Sequence, residues 1–364
     1  MRPHLRDIAI ADLPSALAAA GLRSPGFWGQ RLAVRIHQHG ARSFEDLAAD
    51  PEMGPRVLAA LEAAFRFGPL LAHAGERVAA DGTRKDLWRL AGGEIIETVL
   101  LSNRKGRTLC ISSQAGCGLG CTFCATGRLG LMKNLSAGEI TESVLATQAR
   151  AGTRISDIVF MGQGEPLHNY DAVMAAATTM AHEYGARISK RRITVSTVGL
   201  TPQIQRFVAE RQPWRLHLSL HSAIQETRER IMPIARTHPL PELLAAMRTV
   251  QAVLDRKWLT FQYVAIPDVN MDDDHVDALG RELAGMRYML NVLPWNETGV
   301  GYRPPSFGEV KDFTSRLRRL ACPVKIRYSG GKQEGMGCGQ LSAEQIEVAA
   351  SGGHLRAPPG VFTG

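Results

Sequence analysis

From residue 108 onward, six short β-branched runs alternate with helix-patterned stretches: TLCISS, ISDIVFMG, RITVST, LHLSLH, LTFQYVAI and MLNVLPWN. This rhythm limits the fold more than anything else in the chain, because strands separated by amphipathic helices read as parallel βα units. Six such units suit an open or partial barrel, whereas a closed one takes eight. The expected class is α/β, a partial (β/α)6 barrel, in which ligands gather at the C-terminal strand ends. Ser136 with Glu139, and Ser306 with Glu309, each spell a capping box at a helix start.

The first hundred residues read differently. Ala- and Leu-rich stretches such as LPSALAAAGL and EDLAADPEMGPRVLAALEAAF predict helices joined at Gly and Pro breaks. Residues 1–90 are expected to form a small N-terminal helical domain and 91–345 the barrel with a C-terminal loop. The stretch IIETVLL around Glu97 would begin a strand pair leading into the barrel. The Gly- and Pro-containing end, 346–364, reads as a flexible tail.

At 364 residues and 45% hydrophobic content, the chain is long enough to bury a substantial core. No apolar run approaches the ~18 residues of a membrane span. The charged start MRPHLRDIAIADL is unlike a signal peptide, so the expected compartment is the cytoplasm and no membrane partner is expected. With 43 Lys and Arg against 35 Asp and Glu, the net charge of +8 favours a polyanionic partner. Basic residues cluster at 187–192 and 316–327, where a solvated helix face is the plainer reading.

Six cysteines are too few for a disulfide scaffold, and three of them, Cys117, Cys121 and Cys124, fall within GCGLGCTFCATG just after the first barrel strand. A glycine-rich loop at that rim lets thiols converge where substrates bind. Three thiolates suit zinc completed by a distant histidine, or an iron–sulfur cluster. A cubane cluster held by three protein thiolates leaves one iron open to a ligand bearing an amine and a carboxylate.

The pattern Cys-x3-Cys-x2-Cys, with Phe123 before the last cysteine, resembles the radical S-adenosylmethionine superfamily. Read in order, CISSQAGC, FCATG, KNLSAGEIT, FMGQGEPLHN, ITVSTVGL, LSLHSA, MPI, LPWN and CGQL narrow the resemblance to the RlmN/Cfr group of RNA methyltransferases. RLAVRIHQHGARSFEDLAADP is similar to that family's accessory RNA-binding domain. The resemblance implies a radical SAM barrel with a [4Fe-4S] cluster on Cys117, Cys121 and Cys124, and S-adenosylmethionine consumed twice per turnover. It implies that Gly164 and Glu165 meet the cofactor's amino group. Ser196, the strip Ser219, Leu220 and His221, and Asn296 would hydrogen-bond the cofactor. It further implies that Cys110 and Cys338 are a redox and methyl-carrying pair that passes through a transient disulfide. Glu97 is implied as a proton acceptor, with Cys110 competing for the same proton. Cys322 matches no functional position and reads as a small buried residue.

The chemistry explains the equipment. Adenine C2 and C8 are electron-poor amidine carbons and cannot attack an electrophilic methyl group. In the mechanism the family implies, Cys338 is first methylated. A 5′-deoxyadenosyl radical from a second cofactor abstracts hydrogen from the S-methyl group, and the carbon radical adds to the ring. Cys110 then resolves the adduct. The expected substrate is an adenine of 23S ribosomal RNA, at C2, with transfer RNA as a second substrate. Alternatives are C8 methylation, toward which GRLGLMKNL and IMPI lean, or radical methylation of another substrate. An electron donor such as flavodoxin and a monomeric state are expected. Two departures stand out: Gln163 occupies a position usually methionine, and SGGKQEGMGC precedes the last cysteine where the family has an acidic, aliphatic and Ala-Ala approach.

Overall fold

A computed structural model describes residues 2–103, 106–255, 258–299, 301–331 and 335–340. Residues 346–364, and Leu341 of CGQL, lie outside the described residues. Twelve helix segments longer than a 3-10 turn are described: α1 (Leu13–Ala19), α2 (Pro25–His37), α3 (Phe44–Ala48), α4 (Pro55–Ala64), α5 (Ala125–Leu129), α6 (Ala137–Ala151), α7 (Tyr170–Ala181), α8 (Thr201–Ala209), α9 (Gln225–Ile231), α10 (Leu240–Val253), α11 (Asp273–Glu282) and α12 (Phe307–Leu317). The strands are β1 (Leu71–Val78), β2 (Arg84–Leu90), β3 (Ile95–Asn103), β4 (Gly106–Ile111), β5 (Gln114–Cys117), β6 (Gly130–Asn134), β7 (Asp157–Phe160), β8 (Ile193–Thr197), β9 (Arg215–Ser219), β10 (Leu259–Ala265), β11 (Tyr288–Pro294) and β12 (Val324–Ile326).

Ten strands form one sheet in the order β1-β2-β3-β4-β7-β8-β9-β10-β11-β12. Its middle, β4 and β7 to β11, is the six-stranded parallel unit that the βα rhythm predicts, and β12 adds a short parallel strand at one edge. On the other side β1, β2 and β3 extend the sheet antiparallel up to β4. Residues 71–90, counted with the helical stretch from sequence, therefore belong to the sheet. Their signal is weak because charged residues occupy inward positions: Lys85 and Asp86 are buried beside Leu87 and Trp88.

Parallel strands covered on both faces read as nearly continuous apolar runs, and β10 is buried at every position, Thr260 and Gln262 included. Leu109, Ile111, Ile158, Phe160, Val195, Leu218, Phe261 and Leu290 are all buried in the main core. Helix α6 begins as expected, with Ser136 accepting from Glu139 N–H and Glu139 answering Ser136 N–H, and it ends on left-handed Gly152. The same box opens α12 at Ser306 and Glu309.

Helices α1 to α4 bury Leu17, Leu32, Ile36, Leu47 and Leu61 in a separate cluster. They are fastened to α6 by a buried ion network. Glu142 pairs with Arg6 at 3.1 Å and with Arg42 at 2.9 Å, and accepts from Leu70 N–H at 3.1 Å. No helix among the described residues is long and apolar enough to cross a membrane.

Candidate active site

The three clustered cysteines lie on a loop stapled shut by a small antiparallel pair, with Cys117 at the end of β5 opposite Gly130 at the start of β6. The close approach requires Gly116: it has φ +72°, and a Cβ there would stand 2.0 Å from the Gly130 carbonyl. Cys124 N-caps α5, and its amide donates to Cys121 carbonyl oxygen at 3.2 Å. Burial first, and then the neighbouring thiols, push the Cys117 thiol up to about 12 and that of Cys121 well above the usual range. Cys124 is raised as well, chiefly by burial. Crowded thiols with raised pKa values are what a metal binding site looks like before its metal charge is counted.

Among the described residues, one trio of potential ligand atoms lies within 4.8 Å of each other: His73, Glu76 and Asp86. His73, Glu76 and Asp86 form no free acidic site, because Arg84 and Arg150 both pair with Glu76 and Asp86. One observation fits an anionic cluster: Arg228 on α9 is fully buried, donates to Val198 carbonyl oxygen, and has no partner at Nε or Nη1 among the described residues. Burial lowers its pKa to about 10, against the favourable influence of Cys121.

Around this loop the strand ends bring the predicted cofactor residues together. After β7, Gly162 packs so tightly that a Cβ would meet Ile111 backbone at 2.7 Å, and Gly164, at φ +94°, faces Gln114 at 2.5 Å. Gln163 Oε1 accepts from Gly116 N–H at 3.0 Å, a link to the cysteine loop that methionine cannot make; its Nε2 has no partner among the described residues. Glu165 is 2% exposed, and its carboxylate accepts from Leu167 N–H and Val198 N–H, each at 3.0 Å. Burial nevertheless holds its carboxyl up at about 7. Its oxygens thus already brace two backbone turns, and an ammonium would compete for the remaining lone pairs.

Ser196 at the end of β8 and Ser219 at the end of β9 face each other at 3.4 Å between hydroxyls. Leu220 is fully buried, and its amide donates to Gln262 carbonyl oxygen at 3.1 Å. His221 adopts φ +59°, uncommon for a non-glycine residue. Its Nδ1 accepts from Val264 N–H at 3.0 Å, which leaves the proton on Nε2, and its ring meets Phe123 edge-on at 5.0 Å. Burial and then Arg228 depress its pKa to about 3, so the ring is neutral. Asn296, after β11, donates to Ser329 Oγ at 2.8 Å and to Cys338 carbonyl oxygen at 3.1 Å.

The second thiol pair lies beside the first loop but outside it. Sheet register sets Val99 opposite both Cys110 and Lys85, and Leu87 opposite Glu97, so Lys85, Glu97 and Cys110 point to one face. Lys85 Nζ stands 2.6 Å from Glu97 Oε2. The C-terminal loop covers this face, and Ala125 N–H donates to Gly339 carbonyl oxygen at 2.9 Å. Cys338 is reached by solvent, yet the protein packed around it, then Cys124 and Glu97, push its thiol up to about 11, opposed by Lys85. The Cys110 thiol is driven far above its ordinary value by burial first and then by Cys338 and Glu97. Both are free thiols in this structure. Cys322 is half-buried beside Tyr288 rather than fully enclosed.

The glycines before Cys338 have steric reasons. A Cβ on Gly330 would meet Thr83 Oγ1 at 2.3 Å, and one on Gly337 would meet Asn296 Nδ2 at 2.8 Å. Sequence reasoning missed Lys85 and Arg228. A lysine at an inward-facing position of β2 was the available signal for the first, and nothing local marks the second.

A parallel half-barrel with three clustered thiols in the loop after its first strand defines a radical S-adenosylmethionine enzyme. Residues 111–279 match the model of the Radical SAM superfamily. The chain is 38% identical to a probable RNA methyltransferase of Myxococcus xanthus (strain DK1622), over 98% of this chain and 99% of that one. It is also 38% identical to the dual-specificity RNA methyltransferase RlmN of Syntrophobacter fumaroxidans (strain DSM 10017 / MPOB), over 93% and 98% of the two chains. A crystal structure of a radical SAM methyltransferase from Sphaerobacter thermophilus superposes with a TM-score of 0.86 at 36% identity, covering 94% of this chain and 99% of that one. The chain belongs to the RlmN/Cfr family of radical SAM RNA methyltransferases, which carries with it a [4Fe-4S] cluster, S-adenosylmethionine and an RNA substrate.

Proposed function

We propose that the protein methylates C2 of an adenine in 23S ribosomal RNA, with transfer RNA as a second substrate, through S-methylcysteine at Cys338. The observation that carries this reading is the second thiol pair: Lys85 and Glu97 act on both Cys110 and Cys338, and Cys338 in turn raises the Cys110 thiol, which lies on β4 outside the cluster loop. Bound at that loop, the cluster and S-adenosylmethionine supply, in two separate uses, a methyl electrophile and a hydrogen-abstracting carbon radical. Cys117, Cys121 and Cys124 hold the cluster, while Gly164, Glu165, Ser196, Ser219, Leu220, His221 and Asn296 line the cofactor's place.

Cys338 receives the methyl group on sulfur. Glu97, poised on the same sheet face as Cys110, takes the ring proton once the new carbon–carbon bond has formed. The Cys110 thiolate then attacks Cys338 sulfur; the electron pair of the bond from that sulfur to the methylene carbon passes into the ring amidine, a proton from solvent turns the methylene into the methyl product, and a disulfide remains for an external reductant to reopen. Helices in residues 1–90 serve as an accessory RNA-binding domain, and the net charge of +8 supports a polyanionic partner. A flavodoxin-like donor, two cofactor molecules per turnover, a monomer and a cytoplasmic location complete the reading. The name of the Syntrophobacter relative, a dual-specificity enzyme, supports two RNA substrates.

Nucleoside mass spectrometry of RNA from cells with and without the gene tests it. Loss of 2-methyladenosine with the gene is the expected result. Loss of 8-methyladenosine would move the reaction to C8, and no change in any modified base would assign the radical chemistry to another substrate.

A further inference from the structure

The loop that carries Cys338 is gripped by the β1–β2 hairpin. Asp81 Oδ2, in the hairpin turn, accepts from Gly331 N–H at 3.1 Å, and Gly330 lies against Thr83. Lys85, 1% exposed, then reaches into the loop. Its ammonium donates to the carbonyl oxygens of Gly335 at 3.1 Å and Gln340 at 3.4 Å, on either side of Cys338, while pairing with Glu97 at 2.6 Å. Two hydrogen bonds to loop carbonyls and one ion pair with Glu97 thus draw on two distant parts of the chain. Burying a cation costs stability unless such partners surround it, and an apolar side chain in β2 would avoid that cost altogether. The arrangement therefore stabilises a particular loop position more than it stabilises the sheet.

We propose that Lys85 is a positioning residue that clamps the C-terminal loop onto the sheet and so holds the Cys338 thiol within reach of Cys110 and Glu97. The inference rests on the reading of Cys338 and Cys110 as a working pair. Lys85 touches neither thiol by hydrogen bond; it acts through the two carbonyls and the carboxylate.

Thiol pairing measures this directly. Cluster-loaded protein is treated anaerobically with diamide, which takes two electrons and two protons from a thiol pair, and the Cys110–Cys338 disulfide is followed by peptide mass spectrometry. The wild type is expected to form it readily. Lys85→Met is expected to form it at least about ten-fold more slowly, because the thiols lose their fixed proximity. Lys85→Met with Glu97→Gln removes both charges of the buried pair and leaves none unpaired. This double variant should remain slow, and its amides at residues 335–340 should exchange faster while the rest of the protein keeps wild-type protection. A double variant that pairs its thiols at the wild-type rate would overturn the clamp, leaving only an ion pair. Failure of the wild type itself to form the disulfide would instead contradict the thiol pairing under the proposed function.

Discussion

The amide of Ala125, at the start of helix α5, donates to the carbonyl of Gly339 at 2.9 Å, which sets Cys338 beside the loop that bears Cys124. The two thiol sets thus meet at one backbone hydrogen bond. Cys124→Ala should lose more than half of its iron after anaerobic reconstitution, whereas Cys338→Ala and Cys110→Ala should keep about four irons per chain. Equal iron loss in all three variants, by chemical iron assay, would abolish the distinction.

Gly164→Ala places a Cβ at φ +94° and 2.5 Å from Gln114. Gln114 also accepts from Glu165 N–H at 2.8 Å, so it cannot yield without moving that turn. The expected destabilisation is about 1–3 kcal/mol. Chemical denaturation of the variant and wild type measures it, and equal midpoints would count against the tight turn.

Glu142 is the shared acceptor between the N-terminal helices and α6. Glu142→Gln leaves Arg6, itself 3% exposed, without its counter-charge. Breaking a buried pair from one side costs about 3–5 kcal/mol. Limited proteolysis should release residues from the N-terminal segment faster in the variant, and an unchanged digestion rate would place the anchoring elsewhere.

His37 lies buried at the end of α2, and burial depresses its pKa from 6.5 to about 3. The folded value is below the unfolded one, so the unfolded chain binds the extra proton between these limits. The stability is fully present above the unfolded value and is lost as pH falls toward the folded one. Below pH ~6 the contribution falls by about 1.4 kcal/mol per pH unit. His37→Asn should flatten the acid slope of folding free energy by that amount. Parallel slopes for variant and wild type, from urea titrations between pH ~6 and ~4.5, would exclude His37 as a source.

The barrel and its thiols were legible because their signals are local. Alternating runs report strands, and Cys117, Cys121 and Cys124 report themselves through spacing. What escaped depends on chain segments far apart. Lys85 acquires meaning from Gly335 and Gln340, 250 and 255 residues away, and no window of sequence contains both. Residues 71–90 read as helical territory because buried charges broke the apolar alternation that betrays a strand. Glu165 was expected to await an ammonium; its two backbone donors come partly from Val198, beyond the next strand, and so could not be foreseen. The departures at Gln163 and the glycines before Cys338 became intelligible only as contacts, with Gly116, Thr83 and Asn296.

Incubation of cluster-loaded protein with S-adenosylmethionine carrying a deuterated methyl group, followed by peptide mapping and then by RNA addition, follows the methyl group through the site. The label should appear first on the peptide containing Cys338 and afterwards on an adenine carbon of the RNA. Label that reaches RNA without ever residing on Cys338 would contradict the assignment of that thiol as the carrier.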